Sequence, residues 1–367
     1  MSIETPLQLE HEKLGAAFAE YFGCRLPANY GDVQCEYKFA RESVALIDKN
    51  YRAVLSFTEK DRVRYLNAML TGNIRDLAAG RGNISLLLNP QGRILAEVET
   101  LALEDRLLAI SYAMIRARLI DTFDKFIIMD DVALEDLTDK FGTLALEGST
   151  TADTVRELCG VDLNTMEDSA HVEKSIAGIA CRVIRTSGET AGAELLTPRE
   201  DLTALWNLLL DAVKKHGGGP AGYEALNVLR LEEDTPWYGV DFDESQIPHQ
   251  AALEATHISY TKGCYTGQEI VERVRSRGQI QRRRVMLRFS GEAIPRAGEP
   301  LFAPEPNANA EIGFVTRAAK SPKFGAVIGM GYVRREQMDP GSKVKWSGGA
   351  AEVFEIRATQ KTSESCT

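Results

Sequence analysis

The pattern of apolar runs changes at residues 280–284, and that change constrains the architecture more than any other feature of the sequence. Beyond Arg284 the runs 285–289, 312–317, 327–333, 344–346 and 353–356 are short, and Gly- and Pro-containing turns separate them. Strand-length runs at this spacing close into a small antiparallel barrel or sandwich. A chain of 367 residues also exceeds what one core normally supports. The expected organisation is therefore two α+β parts, 1–130 and 131–280, followed by a β-barrel over 281–360.

Upstream of the boundary, strands and helices mix. Leu7, Leu14, Ala17, Phe18 and Tyr21 fall at helical spacing, so the periodicity predicts a first helix over 7–22, with a loop over 27–32. A strand is expected over 53–57. Thr58-Glu59-Lys60-Asp61 then has the form of a capping box opening a helix through Val63, Leu66, Met69 and Leu70. Asn89-Pro90-Gln91-Gly92 between the apolar runs 84–88 and 94–103 reads as a β-hairpin. A strand over 107–112 and a helix over 114–127 complete the first part. Strands over 132–137, 143–146, 172–174, 181–185 and 194–196, with helices over 151–159 and 202–215, make up the second. Hairpins rather than strict strand–helix–strand alternation indicate α+β.

Composition narrows the function classes. Hydrophobic residues make up 44% and charged residues 26%, a globular balance. No run approaches the ~20 apolar residues that span a bilayer. The opening Met1-Ser2-Ile3-Glu4-Thr5-Pro6 lacks a secretory pattern, so a cytoplasmic protein with no membrane partner is expected. The six cysteines are irregularly spaced without a C-x-x-C pair, which disfavours a disulfide scaffold or a local metal site. His249 and His257 precede Cys264 at spacings that match no compact metal motif. The net charge of −10 disfavours coating of nucleic acid. Arg273, Arg275, Arg277, Arg282, Arg283 and Arg284 crowd one segment but lack the interleaved aromatics of a single-strand binder. The run is expected to be a solvated linker face, with anchoring of an anionic tail or an acidic partner as the functional alternative.

The segment Lys262-Gly263-Cys264-Tyr265-Thr266-Gly267-Gln268-Glu269 concentrates reactive chemistry. Thr266 to Glu269 fits a capping box, with Ile270, Val271 and Val274 continuing at helical spacing. Cys264 would then lie just before a helix N-terminus. The helix dipole and the Lys262 charge would both favour its thiolate. The alternative is a glycine-rich turn around a buried cysteine.

That string resembles the signature of the YgfZ/GcvT folate-binding family, in its YgfZ-type branch. The segment Leu226 to Glu232 and the string Pro236-Trp237-Tyr238-Gly239 are similar to the same family and to its relative, the glycine-cleavage T-protein. The resemblance implies two intertwined α+β folate-binding domains plus a C-terminal antiparallel β-barrel. It also implies a tetrahydrofolate ligand, with or without a polyglutamate tail, and support for assembly or repair of iron–sulfur enzymes, with iron–sulfur client or assembly proteins as partners. Cys264 would carry that chemistry and Lys262 would tune it, with Gly263, Tyr265, Gly267, Gln268 and Glu269 completing the motif.

A folate site has physical requirements. A carboxylate can grip the paired N–H donors of a pterin edge, flat walls can stack on its ring, and cations can meet its carboxylate tail. Glu194, within Gly188 to Leu195, resembles the T-protein carboxylate in its glycine-containing context, and Arg230 the arginine of an R-x-E segment. Tyr112, Trp237 and Tyr238 are candidate walls. Ordinary alternatives are Glu194 on a solvated strand face, Arg230 paired with Glu232 or Glu233, and Trp237 in a core.

One departure counts against the glycine-cleavage reaction. T-proteins carry an Asp-Asp pair after the hairpin turn, where this chain has Ala96-Glu97. The expected function is thus folate binding in iron–sulfur maturation. The rivals are a folate-dependent aminomethyltransferase or demethylase of the T-protein type, and a non-catalytic interaction module.

Overall fold

The computed structural model describes residues 2–187, 192–278, 280–304 and 310–356. They form two compact units. The larger takes residues up to 229 together with 242–249 and 253–278, and the smaller takes 230–241, 250–252 and the described residues from 280 onward.

Two sheets build most of the larger unit. The six-stranded sheet runs His171–Ile176, Ile179–Thr186, Gly192–Pro198, Phe141–Glu147, Ala45–Asp48 and Gly219–Pro220. The five-stranded sheet runs Gly82–Leu88, Ile94–Ala102, Leu107–Tyr112, Arg52–Thr58 and Ala133–Asp136. The turn 49–51 hands the chain from the first sheet to the second, so the two are interlaced in sequence. Leu202–Lys215 lays Leu205, Trp206 and Leu209 on the six-stranded sheet against Leu46, Leu144, Val183 and Leu195. Arg62–Met69 and Arg116–Phe126 cover the five-stranded sheet through Tyr65, Leu66, Leu119 and Phe123 against Leu55, Phe57 and Val98.

Strand alternation sends the remaining side chains to a second layer. There Val54, Leu101, Leu108 and Ile110 of the five-stranded sheet pack against Ile184 and Leu196 of the six-stranded one. On the same strand faces, two residues along from these apolar positions, stand Arg52, Glu99, Tyr112 and Glu194. This layer therefore changes from oily to charged along its length, and the charged end is the candidate site.

The smaller unit is a closed six-stranded antiparallel barrel, in the order Arg282–Phe289, Ala326–Arg334, Glu311–Ser321, Pro300–Phe302, Lys343–Trp346 and Gly349–Phe354, with the last strand pairing back to the first. Leu287, Leu301, Val315, Val333, Val344 and Val353 fill it. The fold class is thus α+β with a C-terminal antiparallel barrel. Among the described residues no helix is long and apolar enough to cross a membrane.

Three local expectations are corrected. The periodicity over 7–22 gives a helix only at Gln8–Lys13, and Ala17–Tyr21 is a strand. It pairs with Cys24–Asn29, which runs into the loop expected over 27–32, through a two-residue turn in which Phe22 and Gly23 both have positive φ (54° and 73°). That turn matches the twist of the strands, and cross-strand pairing outweighs the local helical pattern. Thr58 ends a strand and caps nothing, since the following helix begins at Arg62 after Asp61. The Asn89–Gly92 hairpin forms, with Leu88 opposite Ile94 and Gly92 at φ 73°. The polar residues 361–367, expected to fray, lie outside the described residues.

A buried polar cluster ties the N-terminal segment to the six-stranded sheet. His11 Nε2 meets Asp48 Oδ2 at 2.8 Å, the Thr5 hydroxyl donates to the same oxygen at 2.5 Å, and Tyr30 Oη meets His11 Nδ1 at 2.8 Å. Burial pushes the Asp48 carboxyl up, but the His11 hydrogen bond and charge, Thr5 and the Asn50 amide together hold it below its ordinary value. A depressed carboxyl contributes stability above its unfolded value of about 3.9 and loses it as pH falls through the folded value. Asp48→Asn is therefore expected to lower the urea midpoint at neutral pH and to flatten its decline below about pH 4 relative to the native chain. Parallel declines in the two proteins would contradict this.

Candidate functional site

Glu194, on the Gly192–Pro198 strand, is 2% exposed. Its Oε1 accepts from Lys49 Nζ at 3.0 Å and from Arg52 Nη2 at 2.9 Å. Its Oε2 is buried and has no hydrogen-bond partner, and neither has Arg52 Nε. Most buried carboxylate oxygens in folded proteins are satisfied, so an orphan beside two cations is a functional signal. Tyr51 and Tyr112 stack with ring centroids 5.6 Å apart, and the Arg52 guanidinium lies 5.6 Å and 5.9 Å from their centres. The result is a pair of flat rings beside a carboxylate with one free oxygen.

Two more carboxylates project from the Ile94–Ala102 strand at alternate positions. Glu99 accepts from the Ser169 hydroxyl at 2.8 Å and lies 3.8 Å from Arg52 Nη2. Glu97 Oε1 meets His257 Nε2 at 3.0 Å, and its Oε2 accepts from the Tyr112 hydroxyl at 3.0 Å. His257 Nδ1 in turn meets the Thr256 hydroxyl at 2.7 Å.

The charges divide these groups. Burial pushes Glu194 up, but the Arg52 and Lys49 charges and hydrogen bonds pull it down to about 2. Burial pushes Lys49 and Arg52 down, but Glu194, with Glu147 and Tyr51 at Lys49 and with Tyr51, Glu99 and Tyr112 at Arg52, more than offsets it, so both stay firmly protonated. Burial and the Glu194 charge leave Glu99 above its ordinary value in spite of Arg52. Burial also pushes Glu97 up, but the hydrogen bond and charge of His257, the Arg52 charge and the Tyr112 hydroxyl hold it below. Two carboxyls on one strand face are thus driven in opposite directions, an arrangement suited to acid–base chemistry.

The Lys262–Glu269 string has a different geometry from that expected. Lys262 Nζ donates to the carbonyls of Asn67, Leu70 and Gly72 at 2.5, 2.6 and 2.6 Å. These lie at and just after the C-terminus of the Arg62–Met69 helix, where carbonyls lack helical partners. Burial and the Arg75 charge lower the Lys262 ammonium to about 8. The expected tuning of Cys264 by Lys262 gives way to this backbone clamp. Cys264 is exposed. The expected capping box is absent: the Gln268–Arg277 helix is capped by Gly267 with no side-chain bond, and the Thr266 amide donates to Ala68 O at 3.1 Å. Gly267 has φ 84°, and a Cβ there would come within 2.7 Å of Asn89 O, so glycine lets the helix start abut the hairpin turn. Gly263 faces open space. Tyr265 is buried, with Lys262 Nζ 5.3 Å from its ring centre. Gln268 and Glu269 open the helix.

Arg230, Trp237 and Tyr238 fall in the smaller unit, whereas Glu194 and Tyr112 belong to the larger. Arg230 pairs with Asp241, and its guanidinium lies 4.7 Å from the centre of the Trp237 ring. Tyr238 is buried. Of the arginine run, Arg273, Arg275 and Arg277 lie on the Gln268–Arg277 helix, whereas Arg284 is buried in the first barrel strand with Asp234 and with Ala251 O at 2.9 Å. Arg284 is thus a buried barrel residue, not part of an exposed basic surface. The Gly188–Ala191 half of the Glu194 context lies outside the described residues.

Sequence reasoning missed Lys49, Arg52, Tyr51, Glu99 and the pairing of His257 with Glu97. The available signal was Glu97 and Glu99 alternating with Ala96 and Val98, two carboxylates on one face of a strand whose other face is core.

Residues 7–260 match the family model described as the GCVT N-terminal domain, and residues 282–361 match the glycine cleavage T-protein C-terminal barrel domain. An aminomethyltransferase of Saccharopolyspora erythraea is 29% identical over 349 residues, covering 93% of each chain. One of Streptomyces avermitilis is 27% identical over 343 residues, covering 92% of this chain and 91% of that one. The crystal structure of the glycine cleavage system aminomethyltransferase T from Bartonella henselae superposes with a TM-score of 0.87, covering 97% of this chain and 98% of that one at 24% identity, which shows a shared fold. These relatives overturn the iron–sulfur reading drawn from the Lys262–Glu269 string. Proteins similar to this chain over nearly its whole length are named aminomethyltransferases, and the rival reading fits them better. Iron–sulfur partners fall with that reading.

Proposed function

We propose that this chain, which belongs to the glycine-cleavage T-protein family, is a cytoplasmic tetrahydrofolate-dependent transferase of the aminomethyltransferase type. The observation that carries the proposal is Glu194, ionised and buried, with one oxygen held by Lys49 and Arg52 and the other free. A pterin edge offers the paired N–H donors that such an oxygen lacks, and the Tyr51 and Tyr112 rings are surfaces of the kind a pterin stacks on. The residues present therefore fit the ligand.

Tetrahydrofolate, polyglutamylated or not, would supply the nitrogen that takes up the one-carbon unit. The chain's own contribution is charge and proton control. Lys49 and Arg52 keep Glu194 ionised and fix its orientation. Glu97, held ionised, can take a proton at Oε1 or Oε2, and His257 Nε2 and the Tyr112 hydroxyl are already bonded to those two atoms. Glu97 is the carboxylate we assign to the place of the Asp-Asp pair. We assign Arg230, Trp237 and Tyr238 to the framework of the smaller unit, and we take the Lys262–Glu269 string to mark a YgfZ-type branch of the family.

Calorimetry with tetrahydrofolate tests the reading. Glu194→Ala is expected to weaken binding by roughly ten- to a hundredfold, the equivalent of about 1.5–3 kcal/mol for one charge-assisted pair. Glu194→Gln, which keeps the shape and loses the charge, should fall between the two. Equal dissociation constants in all three proteins would remove Glu194 from the site.

A further inference from the structure

The Lys262 clamp lies in the sequence motif that the proposed chemistry leaves unused, and its geometry gives that motif a task. Three carbonyls receive one ammonium, and all three belong to the stretch 67–72. The same two stretches of chain are joined at three further points. The Thr71 hydroxyl donates to His257 O at 2.6 Å, the Ser259 amide donates to Thr71 O at 3.0 Å, and the Thr266 amide donates to Ala68 O at 3.1 Å. Residues 257–266 have no regular secondary structure of their own. Their path is set by these bonds, and His257 stands at the beginning of it.

We propose that Lys262 is a positioning residue: by clamping the 257–266 segment onto the end of the Arg62–Met69 helix, it seats the His257 ring against Glu97. The chemistry favours lysine for this. Three carbonyls converging from one side suit a compact ammonium with three donors. They also suit a helix C-terminus, where a cation relieves the unpaired carbonyls. The described hydrogen bonds of Lys262 reach neither Glu97 nor Glu194, and the proposed route from the clamp to the site runs through His257. The cost of losing it is lost placement, and misplacement of about 1 Å can lower a rate by up to 10²-fold. The kinetic consequence rests on the aminomethyltransferase reading, but the seating of His257 does not.

Histidine-selective ¹⁵N labelling of the full chain separates the two. The protein has five histidines, so the His257 ring signals can be assigned with a His257→Gln reference. Glu97→Gln marks where those signals move when the partner carboxylate is lost. Lys262→Met is expected to move them in the same direction at fixed pH, leaving the buried His11 and His171 signals in place. Lys262→Arg, which retains donors, should bring them back toward the native positions. His257 signals unchanged in a folded Lys262→Met protein would overturn the proposal. Should that variant fail to fold, Thr71→Val removes the bond to His257 O directly and is expected to move the same signals; unchanged signals there would overturn it equally. In the transferase assay, Lys262→Met should lose roughly 10- to 10²-fold in kcat with KM within about twofold. If the ring signals move and kcat does not, the seat stands and the use of Glu97 in proton transfer falls.

Discussion

Glu97→Gln is expected to lower kcat by about 10²–10⁴-fold, the range a general acid or base contributes, with tetrahydrofolate affinity within about twofold of the native value. Glutamine keeps the length of the side chain and can still accept from the Tyr112 hydroxyl, so the stacked Tyr51–Tyr112 pair should remain in place. What it loses is the capacity to take and return a proton beside His257. The assay follows methylene-tetrahydrofolate and ammonia released from an aminomethyl-lipoyl carrier protein. An unchanged kcat would show that Glu97 moves no proton in the slow step. A loss in affinity equal to the loss in rate would make Glu97 a binding residue instead. Ala96-Glu97 counted, on sequence alone, against a T-protein reaction. In the structure that glutamate, one methylene longer than aspartate, is braced by His257 and Tyr112, and this is the ground for the proton-transfer role proposed for it.

Asp241→Ala is expected to cost about 3–5 kcal/mol of stability, the loss seen when one member of a buried ion pair is removed. Asp241 pairs with Arg230, accepts from the Thr316 hydroxyl at 2.5 Å and accepts from the Trp237 amide at 2.9 Å. Both charged side chains are almost wholly buried, at 4% and 0% exposure. Burial lowers the Arg230 guanidinium from its ordinary value, with Asp241 opposing, and even so an arginine does not shed its proton in a protein. The alanine variant therefore takes the carboxylate away from a buried cation, the Thr316 hydroxyl and the Trp237 amide. Urea denaturation of native, Asp241→Ala and Asp241→Asn proteins measures the effect. Asparagine should recover part of the loss, because its carbonyl still accepts from Thr316 and Trp237. A midpoint unchanged by Asp241→Ala would mean that the Arg230–Asp241 pair contributes nothing to the fold.

Much of the architecture is written locally. The short runs after Arg284, the Asn89–Gly92 turn and the alternation along 94–102 depend on neighbours a few residues away, so periodicity and turn chemistry reveal them. The family could be read in the sequence for the same reason, from strings of consecutive residues. Local pattern failed where a long-range contact outweighed it. Ala17–Tyr21 has helical spacing but is a strand, because a two-residue turn brings it against Cys24–Asn29. The Lys262–Glu269 string looked like an activated thiol, because its sequence neighbours are a cysteine and a helix start. The ammonium instead spends its bonds on carbonyls about 190 residues upstream. The site itself was decided only by tertiary structure. Glu194 could be picked out as a carboxylate, but Lys49 and Arg52, which keep it ionised, lie 145 and 142 residues away. His257 lies 160 residues from Glu97. A sequence fixes which side chains share a strand face. Which faces meet, and therefore which charge sits beside which, depends on strand order, and strand order is set by packing across the whole chain.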